Sequence, residues 1–334
     1  MDIKELLENF PPKERNQRGY WDYLAGITSL GKNVIRNRCR TYMENEHGTK
    51  ANVKSIYDRF VTKTYLKGPL STDGNHRIMV SSDHHGWLLD ADAWEAHLKV
   101  VEDNPIDEYL LLGDVIDFPW IGRHGKALKR LNDKADCFRN YSEVGEVEYT
   151  KEHILKPLRA ATNAKITLMW GNHCERVVSP GNFSRDQLAR LTELHLAYNT
   201  TKLEEMLELE KIGIELHSAP VKTYFNKWNA VHGLTVSPTA ATKNIIEFDG
   251  SGVSGHTHRL NSNFVTRRGR TLHWTESGTM RLIEEVEYFP TGKIPNWAQG
   301  YVSCIFNKDR STFFADTHLI YDGETAFNGK IYSA

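Results

Sequence analysis

The chain has 334 residues, a formal net charge of −1, and an apolar fraction of 40%. This composition supplies enough apolar residues for a sizeable core, and it excludes a disordered or strongly charged protein. No run of about 18 apolar residues occurs, so we expect no membrane span. The cysteines lack paired spacing, which predicts reduced thiols in a cytoplasmic protein; they are Cys39, Cys137, Cys174 and Cys304.

Charge is distributed unevenly along the chain. Residues 1–70 carry 13 Lys and Arg against 8 Asp and Glu, a net charge of +5, which leaves −6 for the remainder. A stretch containing Gly, Pro, Ser and Asp, residues 67–75, separates the two parts. We therefore predict a small basic helical domain at 1–70, called here the basic head, and a larger domain at 76–334.

The basic head contains two predicted helices, residues 20–27 and 32–43, joined by a short turn. The second helix carries an apolar stripe beside a basic stripe, and the basic stripe consists of Lys32, Arg36 and Arg40. The order of residues resembles a helix-turn-helix, although Ser29 occupies the usual glycine position. A helix of this kind can lay cations along phosphates, so nucleic-acid binding is one interpretation. The alternative is an arm that packs on the larger domain or on a second subunit.

Beyond the basic head, short apolar runs alternate with helical periodicities. We predict strands at 77–81, 109–112 and 165–170, and helices at 91–101 and 151–161. From about residue 213 onward, short strand-like runs dominate: IELH, NAVH, RTLHW and YVSCIF. The alternation predicts an α/β layered domain with a β-rich second half.

Polar clusters directly follow several predicted strands. They are Asp83-His84-His85-Gly86, Gly113-Asp114-Val115-Ile116-Asp117, Gly171-Asn172-His173, His232-Gly233 and Gly255-His256-Thr257-His258. Because each begins where a strand ends, all can converge on one edge of a sheet. Residues two apart on an extended segment point the same way, so Asp83 and His85 can share one cation. Asp114 could bridge two cations that lower the pKa of a shared water. Oxygen and imidazole ligands suit manganese, iron, zinc or nickel.

The clusters occur along the chain as five ordered motifs: D-x-H, G-D-x-x-D, G-N-H, H and G-H-x-H. Over about residues 76–310, this order resembles the calcineurin-like metallophosphoesterase superfamily. The resemblance implies a four-layer α-β-β-α sandwich of two stacked mixed sheets. It implies one metal held by Asp83, His85 and His258, a bridging Asp114, and a second metal held by Asn172, His232 and His256. His173 would protonate the leaving oxygen or stabilise phosphoryl charge, with Asp117 orienting it.

The sequence departs from the family pattern at two positions, and other residues leave alternatives open. Cys174 follows G-N-H where an acidic residue is common, and Phe118 replaces an Arg or Asn. His217 also ends a strand-like run and is the alternative to His232. We expect His84 to point away from the metals, as a second-layer or surface imidazole, and Cys174 to be a packed free thiol. Arg259 could contact a substrate phosphate. The polar stretches 119–147 and 179–204 are predicted loops at the rim of the site.

The sequence therefore predicts a two-metal-dependent phosphoesterase, with manganese the first choice of metal. Its predicted substrate is a nucleic acid or nucleotide, attacked by a metal-activated hydroxide. One alternative is a phosphomonoesterase acting on protein or small-molecule phosphate, with the basic head used for docking or oligomerisation. Another is a non-catalytic DNA-binding scaffold.

Overall fold

The structure is a computed structural model that describes residues 67–122, 142–178, 183–233, 235–283 and 295–334. The predicted helix-turn-helix and its basic stripe, Lys32, Arg36 and Arg40, lie outside the described residues. Among the helices of the described ranges, none combines the length and the apolar character needed to cross a membrane.

Two mixed sheets dominate the described part of the chain. In chain order the strands are β1 His76–Ser81, β2 Glu108–Leu112, β3 Lys165–Met169, β4 Ile214–His217, β5 Val221–Tyr224, β6 Trp228–Val231, β7 Ser251–Ser254, β8 Leu260–Arg267, β9 Arg270–Ser277, β10 Gly300–Phe306, β11 Phe313–Tyr321, β12 Glu324–Phe327 and β13 Lys330–Ser333. The larger sheet has the order β13-β12-β11-β10-β1-β2-β3-β4, and the smaller has the order β5-β6-β7-β9-β8. Strands β1 to β4 are parallel to their neighbours in that run, as are β6, β7 and β9.

The helices flank these sheets. They are α1 Ala91–Asp103, α2 Glu143–Thr150, α3 Lys156–Ala161, α4 Glu175–Val178, α5 Arg185–Tyr198, α6 Leu203–Met206, α7 Leu209–Ile212 and α8 Ala240–Phe248. A single π-helical turn, Lys151–Leu155, joins α2 to α3, and a 3₁₀ turn spans Gly86–Leu88. Asp90 caps the start of helix α1, and its side chain accepts hydrogen bonds from the backbone N–H groups of Asp92 and Ala93.

Three apolar layers separate four layers of secondary structure. Alternate residues of β2 face opposite sides of the larger sheet, because successive strand side chains point in opposite directions. Tyr109 and Leu111 pack with the helices on one side, whereas Leu110 and Leu112 pack between the sheets against residues such as Trp228. A third cluster covers the outer face of the smaller sheet with α8; it contains Val231, Ala241, Ile245, Leu272 and Trp274. The predicted α-β-β-α sandwich is confirmed.

Most predicted elements are confirmed, with three corrections. The predicted strands correspond to β1, β2, β3, β4, β6, β9 and β10, and the predicted helices lie within α1 and the run from the π-helical turn to α3. The segment 179–204 is wrong as a loop, because α5 occupies 185–198 and begins with a capping box between Ser184 and Gln187. Helix α2 similarly occupies the end of the predicted loop 119–147, and α8 interrupts the β-rich half.

The parallel strands bring the polar clusters to one edge of the sandwich. Asp83 follows β1, Asp114 follows β2, and Asn172 follows β3, all at carboxyl ends of neighbouring parallel strands. His232 follows β6 and His256 follows β7, the corresponding parallel pair of the other sheet. Two sheet edges therefore meet above the apolar layer that separates them.

We predict that a buried imidazole makes stability depend on pH. Burial lowers the pKa of His153 from 6.5 to about 4. The unfolded chain therefore binds this proton at a higher pH than the folded chain, so stability is lost as pH falls from about 6.5 to about 4. His153→Gln, which removes this titration, should reduce that loss by roughly 3 kcal/mol. Denaturant unfolding at a series of pH values measures the difference. The same dependence of the unfolding free energy on pH in both proteins would contradict the prediction.

Candidate metal centre

The loops that follow β1 and β2 lie side by side and fix the first two motifs relative to each other. The backbone N–H of Asp83 donates to the carbonyl of Gly113 at 3.1 Å, and that of His85 donates to the carbonyl of Asp114 at 2.9 Å. Glycine is required where the motifs meet. A Cβ added to Gly171 would lie 2.1 Å from Asp114 Oδ1. A Cβ added to Gly113 would lie 2.4 Å from His232 Nδ1.

One cluster contains Asp83, His85 and His258, the three residues predicted to hold the first metal. Asp83 Oδ1 lies 3.1 Å from His258 Nε2 and 3.7 Å from His85 Nε2, and the two Nε2 atoms are 3.0 Å apart. His85 Nδ1 lies 2.9 Å from the carboxylate of Asp117. An Nδ1–H that donates to a carboxylate leaves the lone pair of Nε2 directed into the cluster, as a metal ligand requires.

A second cluster contains Asp114, His232 and His256. His232 Nε2 lies 3.0 Å from Asp114 Oδ2, and His232 Nδ1 donates to the carbonyl of Leu112 at 2.8 Å. That backbone bond again directs the Nε2 lone pair into the cluster. The competing candidate, His217, instead directs Nε2 to the carbonyl of Val221 at 3.0 Å. Of the two alternatives, only His232 belongs to this cluster.

The two clusters adjoin through one carboxylate oxygen. Asp83 Oδ1 lies 4.0 Å from His232 Nε2 as well as 3.1 Å from His258 Nε2. The other oxygen, Oδ2, accepts from the hydroxyl of Ser82 and from the backbone N–H of His256. Asp83 is fully buried, yet Oδ1 has no hydrogen-bond donor among the described residues. A buried carboxylate oxygen facing imidazole lone pairs fits a divalent cation, which satisfies all of these groups together.

His173 and Asp117 form a dyad beside the clusters. The Nδ1 of His173 makes a close contact with Asp117 Oδ1, the same oxygen that binds His85 Nδ1. His173 Nε2 lies 3.9 Å from Asp114 Oδ2, and the backbone N–H of His173 donates to Asp114 Oδ1 at 2.8 Å. Asp117 therefore contacts both imidazoles, in the position that its predicted orienting role requires.

Burial and charge strongly shift the pKa values of these groups. Burial alone would raise the pKa of Asp83, but the imidazoles of His258 and His232 hold it well below its usual range. Burial lowers the pKa of His85, whereas hydrogen bonds to Asp117 and Asp83 outweigh burial and raise it to about 9. The carboxylates of Asp114 and Asp83 likewise outweigh burial at His232, whose pKa rises to about 10. The carboxylates thus favour positive charge at the clusters, which either protons on the imidazoles or bound cations can supply.

The ligand positions also share an unusual backbone conformation. Positive φ angles occur at non-glycine residues of both clusters: Asp83 (55°), His85 (53°), Asp114 (48°), His256 (66°) and His258 (55°). This left-handed region is sterically unfavourable for residues with a Cβ. Such strain clusters at functional sites, where surrounding contacts hold the backbone in place.

The remaining predicted residues occupy varied positions. Asn172 is exposed in the turn after β3. Arg259 directs its guanidinium to the carbonyl of Ser237 at 2.9 Å, and so ties down the 236–237 backbone. His84 points away from the clusters, as expected, but it is fully buried, with Nε2 3.0 Å from Ser81 Oγ. Cys174 is a buried free thiol, and burial raises its pKa to about 12.

Sequence reasoning missed three residues that contact the site. Glu146, on α2, accepts from the backbone N–H groups of Asp117 and Phe118 at 2.8 and 3.0 Å. Arg176 donates to the carbonyl of Asp117 at 2.6 Å. The Trp297 ring lies 4.2 Å from the His258 ring. Arg176 follows His173 by three residues, a helical spacing that could have indicated it; Glu146 and Trp297 carry no comparable local signal.

Comparison with known proteins gives distant likenesses. No protein-family model matches the chain. The Gene 54 protein of Mycobacterium phage L5 is 24% identical over 268 residues, which cover 77% of this chain and 98% of the phage protein.

Solved structures of several proteins align with most of the chain. A zinc complex of Vps29 from Entamoeba histolytica has a TM-score of 0.36 and 13% identity, covering 77% of this chain and 98% of its own. A Streptococcus pneumoniae protein described as a predicted phosphoesterase has a TM-score of 0.30 and 13% identity, covering 78% and 98%. PhoD has a TM-score of 0.43 and 11% identity, covering 80% and 70%. At these low scores, function must be inferred from the residues of the site itself.

The contrast between His232 and His217 gives a matched test of the second cluster. His232→Ala removes an imidazole directed at Asp114, so we expect affinity for Mn²⁺ to fall by roughly 100-fold or more. His217→Ala should leave Mn²⁺ binding unchanged, because its ring contacts the backbone of Val221 instead. Calorimetric titration and metal analysis after dialysis measure both variants, with circular dichroism as the folding control. Equal losses in the two variants would contradict the assignment.

Proposed function

We propose that this chain is a phosphoesterase that uses two divalent cations, with a phosphodiester of a nucleic acid or nucleotide as its substrate. The observation that carries the proposal is the convergence of two Asp/His clusters at one edge of two sheets. Adjacent clusters linked through a buried carboxylate oxygen suit a pair of cations more closely than a single one. The ordered motifs and their resemblance to calcineurin-like metallophosphoesterases support the same reaction class.

The chain would hold the cations with the residues of the two clusters. Asp83, His85 and His258 would bind one, and Asp114, His232 and His256 the other. Asp114 would also bridge to the first cation, as the resemblance implies. Asn172 is exposed and directly precedes His173, whose backbone N–H donates to Asp114, and it would add an amide oxygen. When bound, such a pair supplies a water of lowered pKa and neutralises charge on the phosphoryl oxygens. Manganese is our first choice for this ligand set, with iron, zinc or nickel as alternatives.

The residues around the clusters would orient the substrate and manage its proton. Asp117 Oδ1 holds His173 at Nδ1, which fixes the plane of the ring. The opposite nitrogen, Nε2, faces Asp114 at 3.9 Å. A proton held at Nε2 would be delivered to the leaving oxygen, as expected of a general acid with an anchored second nitrogen. Glu146 keeps the Asp117 backbone in place through its two hydrogen bonds.

The substrate class is supported by the sequence of the basic head. Lys32, Arg36 and Arg40 recur at helical spacing, and such a stripe can follow a phosphate backbone. A nucleic acid or nucleotide therefore fits both parts of the chain, with a diester as the reacting group.

The first experiment is metal-dependent hydrolysis of two chromogenic substrates. Metal-stripped protein should regain turnover of bis-(p-nitrophenyl) phosphate when Mn²⁺ is added, and this turnover should exceed that of p-nitrophenyl phosphate. Asp114→Asn should lower turnover by roughly 100-fold or more, because it removes the carboxylate charge of the second cluster.

Other outcomes decide between the alternatives. Turnover of the monoester alone would replace the proposed substrate class with a phosphomonoester and make the basic head a docking or oligomerisation arm. Absence of turnover with metals bound would favour a non-catalytic scaffold. Full activity in Asp114→Asn would contradict the shared role of that carboxylate.

A further inference from the structure

Arg176 lies against the dyad formed by His173 and Asp117. Its Nη1 donates to the carbonyl of Asp117 at 2.6 Å and lies 3.8 Å from Asp117 Oδ1. Its Nη2 lies 3.1 Å from His173 Nε2. Helix α4 begins directly after the G-N-H turn, so Arg176 and His173 are three residues apart on one helical turn. The guanidinium is therefore part of the same local structure as the dyad.

The contact between Arg176 and His173 determines the hydrogen-bonding role of His173 Nε2. A guanidinium can only donate hydrogen bonds, so His173 Nε2 presents its lone pair to Nη2. The same Nε2 lies 3.9 Å from Asp114 Oδ2, at the boundary of the second cluster. Nη2 and the second cluster therefore lie on either side of His173 Nε2. A phosphoryl group bound between the cations and His173 would be next to Nη2.

The positions of two other arginines near the clusters contrast with that of Arg176. Arg259 directs its guanidinium to the carbonyls of Val236 and Ser237, away from the dyad. Arg281 is almost fully buried, and its guanidinium lies over the Trp297 ring. The Arg176 side chain keeps 18% of its surface exposed, so it can meet a ligand that enters the site.

We propose that Arg176 is a phosphoryl-binding residue of this site, an inference that rests on the proposed phosphoesterase function. Nη1 stays on the Asp117 carbonyl as a pivot, while Nη2 exchanges His173 Nε2 for a non-bridging phosphoryl oxygen. A planar, permanently charged guanidinium matches the oxygens of a phosphoryl group. The exchange also removes the hydrogen bond that occupies the lone pair of His173 Nε2. Arg176 thus couples substrate binding to the availability of His173.

The test measures binding of inorganic phosphate to the full-length, metal-loaded protein by calorimetry. Arg176→Gln keeps a donor for the Asp117 carbonyl but removes the charge, and it should weaken phosphate binding about 10- to 100-fold. Arg176→Lys keeps the charge and should give an intermediate loss. Arg270→Gln is the control, because Arg270 pairs with Asp249 on an exposed surface away from both clusters. Metal content should remain at the wild-type level in all variants.

Phosphate affinity at the wild-type level in Arg176→Gln would overturn the inference, as would a loss of metal that accounts for the weaker binding. In either case Arg176 would only position the Asp117 loop. The measurement also separates this inference from the proposed function, because phosphate binding requires no turnover. Weakened phosphate binding in a protein that hydrolyses no phosphoester would retain the inference and reject the function. If the wild-type protein hydrolyses a phosphoester but Arg176→Gln binds phosphate normally, the proposed function is retained and the inference is rejected.

Discussion

A single buried oxygen, Oδ1 of Asp83, connects the two halves of the site. It faces His258 Nε2 at 3.1 Å and His232 Nε2 at 4.0 Å, whereas Oδ2 is engaged by Ser82 and by the backbone of His256. Removing a carboxylate from water is costly unless compensating charges and hydrogen bonds surround it. Here the compensation comes from His232 and His258, which follow strands of the smaller sheet, whereas Asp83 follows a strand of the larger sheet, and bound cations would strengthen it. The charge of Asp83 therefore couples cation binding to the contact between the loops of the two sheets.

The sandwich geometry makes this convergence possible. Parallel strands β1, β2 and β3 of the larger sheet and β6 and β7 of the smaller sheet end at the same edge. The chain then turns sharply, with positive φ angles at Asp83, Asp114 and His256. Glycines allow the approach, since a Cβ on Gly171 would overlap Asp114. Packing of the apolar layers stabilises this strained edge, which local backbone preferences alone would disfavour.

Much of the architecture and most of the clustered residues could be predicted from the sequence, for identifiable reasons. Strands such as β2 are short apolar runs, and their polar ends carry the motif residues, so local pattern and site coincide. Helix α5 was missed because its polar composition outweighed the capping signal of Ser184 and Gln187. The contact of Glu146 with the Asp117 loop spans 29 residues of sequence. Such a contact depends on tertiary packing, which local sequence patterns do not predict.

Two cations are expected between these clusters, and anomalous X-ray scattering from crystals containing Mn²⁺ would locate them. We expect two anomalous peaks roughly 3.5–4 Å apart. One should lie beside Asp83, His85 and His258, and the other beside His232 and His256, with Asp114 between them. A single peak, or peaks away from these residues in a crystal shown to contain Mn²⁺, would contradict this expectation.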